Sequence, residues 1–199
     1  MNVTKTDLPG VLVLEPKVHG DARGYFAETY QAERYGDAGI PAAFVQDNVS
    51  FSRRGVLRGI HLQWPRAQGK LVQVVQGEVF DVAVDLRRDS PTFGRWVGHS
   101  LTGSSLRQIW IPPGFGHGFL TVSETALLAY KCTDLYSARD EIAVRWDDPD
   151  LAIAWPCKAP LLSAKDAAAP CLAQIDPEQL PRLRGREAGA ELSHPDPAR

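Results

Sequence analysis

The chain is cut into short pieces. Its 15 prolines and 17 glycines are scattered along all 199 residues and separate brief runs rich in valine, isoleucine, leucine and aromatics. Runs that short leave no room for long helices, and β-branched and aromatic residues between Gly/Pro breaks read as strands joined by turns. The expected class is therefore all-β, a sandwich or a barrel. No repeat at a fixed period is present. One domain over residues 1–181 is expected, with a charged, Gly- and Pro-rich tail over 182–199 that reads as peripheral and partly disordered.

Several partner classes are excluded at this stage. A formal net charge of −2 does not provide the basic field that nucleic acid or an anionic membrane surface requires. No apolar run approaches the 18 or so residues that span a bilayer, and the N-terminal MNVTKTDLPG has no apolar signal core. The 3 cysteines are odd in number and none sits in a CxxC pair, so they read as reduced thiols of a cytoplasmic protein.

Along the chain, Val11–Val18 reads as a strand, with Pro16 hinting at a sheet edge. His19–Gly24 reads as a turn, Tyr25–Tyr30 as extended, and Gln31–Gly39 as a short surface helix. In Phe44–Ser52, the residues Gln46, Asn48, Ser50 and Ser52 share one face, which fits a wet outer surface or a polar cavity equally well. Leu71–Gln76 and Val79–Leu86 flank Gly77-Glu78, the pattern of a two-residue hairpin. In the second run Asp81 and Asp85 share a face, and unpaired charge there must meet water, a cation or a ligand. Asp81, mid-strand, is the better cavity candidate. In PPGFGHGFL, the glycines and prolines around His117 predict a constrained turn. Tyr130 falls on the face of Thr125–Cys132 that carries Ala126 and Leu128, as a core tyrosine would.

The stretch Gly55–Lys70, GVLRGIHLQWPRAQGK, concentrates the chemistry. Leu57, Gly59, His61 and Gln63 alternate onto one face, with Arg58 and Lys70 nearby. Taken alone, this reads first as a core histidine with surface cations. Three chemistries can use it. A metal site from His61, Gln63 and His117 is short of ligands, because glutamine stands where an H-x-H pair is wanted. A serine hydrolase lacks its GxSxG elbow. Proton transfer needs only a histidine base, a carboxylate to orient it, a tyrosine acid and a lysine for a developing oxyanion, all of which are available. No cofactor fingerprint is present, and neither cofactor nor metal is expected.

Read together, the ordered blocks GDARGYFAE, QDNVSFSRRGVLRGIHLQ, GKLVQVVQGEVFDVAVDLRRDSPTFG, IPPGFGHGF, Tyr130, Tyr136, WDDPDLAIAWP and LSAKD resemble the dTDP-4-dehydrorhamnose 3,5-epimerases over about Leu8 to Pro170. The resemblance implies a cupin-type antiparallel jelly roll (double-stranded β-helix) with short peripheral helices, acting as a homodimer on a dTDP-4-keto-6-deoxyhexose. It implies His61 as base, Asp166 as its orienting carboxylate, Tyr130 as acid and Lys70 near the sugar O4. Asp81 and His117 match further residues of the sugar pocket. Arg23 and Arg58 match pyrophosphate ligands, Gln46 and Glu28 match thymine contacts, and Phe26 and Tyr136 match aromatics that hold the base. Asn48, between the thymine contact and the cavity face, belongs with the substrate-binding set. His19 departs, standing where many members carry an aromatic residue that reaches across the dimer. A single-centre epimerase of another deoxysugar pathway and a non-catalytic sugar-nucleotide-binding cupin are the rival implications.

Overall fold

The computed structural model describes residues 1–40 and 43–183, so residues 184–199 of the expected tail lie outside the described residues. Two antiparallel sheets face each other. One runs in the order β1 (Asn2–Lys5), β2 (Leu12–Glu15), β10 (Gln108–Ile111), β7 (Lys70–Gln76), β12 (Thr125–Cys132) and β5 (Gln46–Arg53). The other runs β13 (Glu141–Ala143), β6 (Leu57–Gln63), β11 (Phe115–Thr121), β8 (Glu78–Asp85) and β9 (Trp96–Thr102). A separate hairpin of β3 (Val18–Asp21) and β4 (Gly24–Ala27) pairs only with itself. The helices are short, α1 (Ala32–Asp37) and α2 (Ala164–Ala167). None of the described helices is long and apolar enough to cross a membrane. This is a jelly roll: from β5 to β13 successive strands pass from one sheet to the other, except that β8 and β9 are neighbours in one sheet.

The alternating apolar residues explain the layers. Val72, Val74, Val79, Ala83, Ile109 and Leu128 meet between the sheets. The opposite face of β8, Val82 and Val84, is covered by Leu151, Leu172, Ile175 and Leu180 from the C-terminal segment. The outer face of the other sheet packs Leu14, Leu71 and Trp110 against Tyr35 of α1 and Ile40. Each fully buried side chain of this size stabilises the fold by about 1.5–3 kcal/mol. Tyr35 also satisfies its hydroxyl, which bonds Gln108 Oε1 and the Thr29 carbonyl at 2.7 Å each. Burial first, then the nearby Glu28 charge, pushes its pKa up to about 12.

Several local expectations are overturned. The runs around Gly77 do not form a hairpin: β7 lies between β10 and β12, β8 between β11 and β9, and the chain changes sheets at Gly77. A Cβ there would lie 2.1 Å from the Thr125 carbonyl oxygen, so this corner needs glycine for close approach, as a hairpin would for its turn. Pro16 does not mark an edge strand, because β1 pairs outside β2 and Pro16 follows the end of β2. β1 itself is exposed along its whole length and has no apolar pattern to announce it. His19–Asp21 is strand, so the turn narrows to Ala22 and Arg23. His117 sits mid-strand in β11, and the flanking glycines serve packing: Cβ atoms on Gly116 and Gly118 would lie 2.5 and 2.7 Å from the Ile60 side chain.

Candidate active site

The alternation rule fails usefully in β6. Between His117↔His61 and Phe119↔Arg58 the register slips by one residue, leaving an extra residue in β6. This bulge at Gly59 and Ile60 turns Arg58, three positions before His61, towards the same cavity. Gly59 makes it possible: its φ is +112°, and a Cβ would lie 2.6 Å from Gly118 Cα. The cavity has a volume of about 700 Å³ and is lined by Arg58, His61, Lys70, His117, Tyr130 and Asp166, among others. A narrower cavity of about 230 Å³ shares His61, Lys70 and Tyr130 and adds Gln46, Asn48, Cys132, Tyr136 and Glu141.

His61 is held from outside the sheets. Leu57 N–H bonds the Leu161 carbonyl at 3.0 Å and Leu161 N–H bonds the Gly55 carbonyl at 2.7 Å, pinning the C-terminal segment beside β6. Ser163 then caps α2, accepting from Asp166 N–H at 3.1 Å. Asp166, 4% exposed, meets His61 Nε2 at 2.6 Å. Burial pushes the Asp166 carboxyl up, but the His61 hydrogen bond and charge, with Ser163 and Lys165, outweigh it and hold the pKa below the usual value. Asp166 is thus a carboxylate hydrogen-bonded to the imidazole, fixing the orientation of its ring.

The cavity wall facing His61 comes from neighbouring strands. His117 is the register partner of His61 on β11, and its Nε2 lies 2.8 Å from Asp81 Oδ2 on β8. Asp81 is wholly buried and His117 nearly so. Lys70 is half-buried, and removal from water pushes its pKa down, partly opposed by Cys132, Glu141 and Asp81. Burial pushes the Tyr130 phenol up, so it keeps its proton at neutral pH. Arg58 donates to Ser52 Oγ at 3.1 Å and to the Phe51 carbonyl at 3.3 Å while its side chain stays exposed, as an anion ligand at the rim would.

The polar face of β5 turns inward. Gln46 Nε2 donates to Asn48 Oδ1 at 3.0 Å, Tyr136 N–H donates to Gln46 Oε1 at 2.8 Å, and Asn48 Nδ2 lies 3.5 Å from Cys132 Sγ. Glu141 and Lys165, which sequence reasoning passed over, also belong here. Tyr136 donates its hydroxyl to Glu141 Oε2 at 2.7 Å, and Lys165 Nζ lies 2.5 Å from the same oxygen. Only pairing of β13 with β6, Glu141 opposite Gln63, brings Glu141 in, and no local pattern signals that. Gln63 is no ligand: its Nε2 donates to the Arg66 and Leu135 carbonyls at 2.5 and 3.0 Å, tying loops together. Among the described residues, no three His, Cys, Asp or Glu side chains come together as metal ligands.

Three expected contacts are elsewhere. Arg23, Phe26 and Glu28 lie on or just after the β3–β4 hairpin and do not line either cavity of their own chain. Arg23 pairs with Asp21, Glu28 with Arg34, and Phe26 is 70% exposed. His19 and Phe26 instead border a separate surface cleft with Glu28.

The model of the dTDP-4-dehydrorhamnose 3,5-epimerase family matches residues 5–174. The chain belongs to the dTDP-4-dehydrorhamnose 3,5-epimerase family. It is 54% identical over 177 residues to an enzyme of that name from Salmonella typhimurium, covering 87% of this chain and 97% of the relative. A crystal structure of such an epimerase from Legionella pneumophila, in complex with dTDP-4-keto-L-rhamnose, superposes with a TM-score of 0.90 at 53% identity, covering 92% of this chain and 99% of that one. A more distant relative, a dTDP-4-dehydrorhamnose 3-epimerase from Streptomyces niveus, is 42% identical over 176 residues, covering 87% of this chain and 85% of the relative. As in other 3,5-epimerases of the family, the fold is a cupin-type jelly roll and the chain is an isomerase.

Proposed function

We propose that the chain inverts C3 and C5 of dTDP-4-dehydro-6-deoxy-D-glucose by proton transfer, using its own side chains. The observation that carries this reading is the His61–Asp166 pair at 2.6 Å on a cavity that also holds Tyr130, Lys70 and His117. The 4-ketone acidifies the hydrogens on the neighbouring carbons. With one ring nitrogen of His61 engaged by Asp166, the other takes the carbon's proton. The C–H electron pair becomes the enolate double bond, and charge collects on O4 opposite Lys70 and His117. Tyr130 returns a proton to the other face, the ketone re-forms, and exchange with solvent restores His61 and Tyr130. Preorganised donors facing a developing oxyanion are worth roughly 100- to 1,000-fold each in rate.

The nucleotide is read as lying along the rim, its pyrophosphate on Arg58 and its base against Gln46, Asn48 and Tyr136. Arg23, Phe26 and Glu28 complete this site from a second copy of the chain. The exposed hairpin supports such an exchange, with Tyr25 63% and Phe26 70% exposed, as do Val49 and Phe51 of β5, at 71% and 59%, which border the open cavity. Large exposed apolar side chains that cluster so are the mark of an interface. We place the reaction in the cytoplasm, in keeping with Cys132, Cys157 and Cys171 as free thiols.

The test is proton exchange in heavy water, with purified protein and EDTA, followed by NMR of the sugar. Deuterium at C3 and C5 is expected. Label at C3 alone would make this chain a single-centre epimerase like the Streptomyces relative, and no label with dTDP still bound would leave only a binding protein.

A further inference from the structure

Asp81 offers one oxygen to His117, and its second, Oδ1, is buried with no hydrogen-bond partner among the described residues. A second unpartnered buried atom belongs to the residue opposite it in the ladder. His99 on β9 is the register partner of Asp81 on β8, and both side chains project onto the inner face, since Val79, Ala83 and Leu101 of the same parity lie in the central core. His99 Nε2 is buried without a partner, although the residue as a whole is half-buried on an edge strand. Opposed side chains on one face have Cβ atoms about 4.5–5.5 Å apart, a gap that a rotation of the imidazole closes. A buried carboxylate oxygen and a buried ring nitrogen each left unsatisfied are costly, and each supplies what the other lacks.

We propose that His99 is a positioning residue that acts through Asp81 on His117, so that one carboxylate is shared between an imidazole facing the sugar and an imidazole at the sandwich edge. The proposal rests on the epimerase reading of the cavity. The charged groups that act on His99 are few. Asp81 comes from β8, where Glu78 and Asp85 lie towards the strand ends, opposite Thr102 and beyond Trp96. Arg107 comes from the segment entering β10, where it is paired with Glu15 of β2. β7, which also touches β9, carries only Lys70, at its start. Burial lowers the His99 pKa below 6.5 and Arg107 lowers it further, while Asp81 opposes both. At neutral pH His99 is therefore neutral. As the pH falls it gains a proton and claims Asp81, which also helps to hold charge on Lys70. His117 is then held less firmly.

The experiment is NMR of ¹⁵N-histidine-labelled protein without substrate, paired with steady-state kinetics. In the wild type, the His117 Nε2–H resonance is expected to move below pH 6.5 in step with His99 titration. His99→Val abolishes that movement and lowers kcat about tenfold with little change in KM, the scale of one lost hydrogen bond to a charged group. His99→Gln, which keeps an N–H donor, restores most of the rate. A His117 signal indifferent to His99 overturns the proposal, as does a coupled titration with kcat unchanged in His99→Val. Should His99→Val fail to fold, the wild-type titration and His99→Gln decide alone. Because the NMR needs no turnover, failure here is separable from failure of the epimerase reading, which the deuterium assay tests.

Discussion

The cavity and the β3–β4 hairpin are built on opposite principles. In the cavity three polar groups are fixed by ladder register and by a partner on another element: His61 by Asp166 of α2, His117 by Asp81 of β8, Arg58 by Ser52 of β5. At the hairpin, among the described residues, Arg23 pairs with Asp21 and, just after β4, Glu28 with Arg34 of α1, both close in sequence, and Tyr25 and Phe26 are exposed. Under the proposed function, chemistry sits where geometry is over-determined, and the proposed ligand capture falls to an arm with few anchors in its own chain. That division allows a second copy to contribute to binding without disturbing the acid–base set.

The largest effect expected is from His61→Asn. Exchange at both carbons should fall by roughly 10²- to 10⁴-fold, the usual worth of a general base, while dTDP affinity measured by calorimetry stays unchanged. A comparable loss of dTDP binding would show that catalysis and capture are not separated as described. Lys70→Met comes next, with kcat falling by roughly 100- to 1,000-fold if the ammonium faces the enolate oxygen. Lys70 has its pKa pushed below 10.5 by burial, and Tyr130 has its pushed above 10.0 by burial. Lys70→Arg tests whether the alkaline limb of kcat reports Lys70, in which case the limb should move to higher pH. A limb unmoved in Lys70→Arg would assign it to another group.

The hairpin is tested by mixing. Arg23→Ala should raise KM by about tenfold, the loss of one charge-assisted contact, with kcat nearly intact. If Arg23 acts across a dimer, co-refolding a heavily impaired hairpin variant, Arg23→Ala with Phe26→Ala, with inactive His61→Asn should restore about a quarter of wild-type activity, because half the dimers are mixed and each has one intact site. No recovery on mixing would place the hairpin's function within its own chain.

How far the sequence foretold this depends on the kind of information each residue carries. The all-β class was legible because alternating apolar runs and Gly/Pro breaks are local signals, while the jelly roll itself came from family resemblance. Simple alternation would put Arg58 and His61 on opposite faces; the bulge that brings them together is a property of two strands, and β6 alone does not reveal that Gly118 lies against Gly59. Gly77 misled because a glycine that turns a hairpin and one that passes a strand between sheets look alike. Glu141 was missed because it reaches the cavity only through pairing of β13 with β6. Arg23, Phe26 and Glu28 came from family resemblance, and they line neither described cavity of their own chain, which is why the proposed site draws them from a second copy.

The smallest effect separates two aspartates whose pKa values are both depressed. Asp21, on the hairpin, is lowered first by its side-chain bond from Arg23, but the pair is open to water. Asp166, in the cavity, is lowered by His61 against the opposing effect of burial. A depressed carboxylate stabilises the fold above its unfolded pKa, near 3.8 for both, and that contribution is lost as the pH falls through the lower folded value. Solvent screening makes the exposed pair count for little. Acid-unfolding curves should therefore flatten below about pH 4 in Asp166→Asn relative to wild type, and coincide with wild type in Asp21→Asn. Equal flattening in both would mean that the hairpin pair is shielded from solvent, as burial against a second copy would make it, and the contrast between the two regions would then belong to the monomer alone.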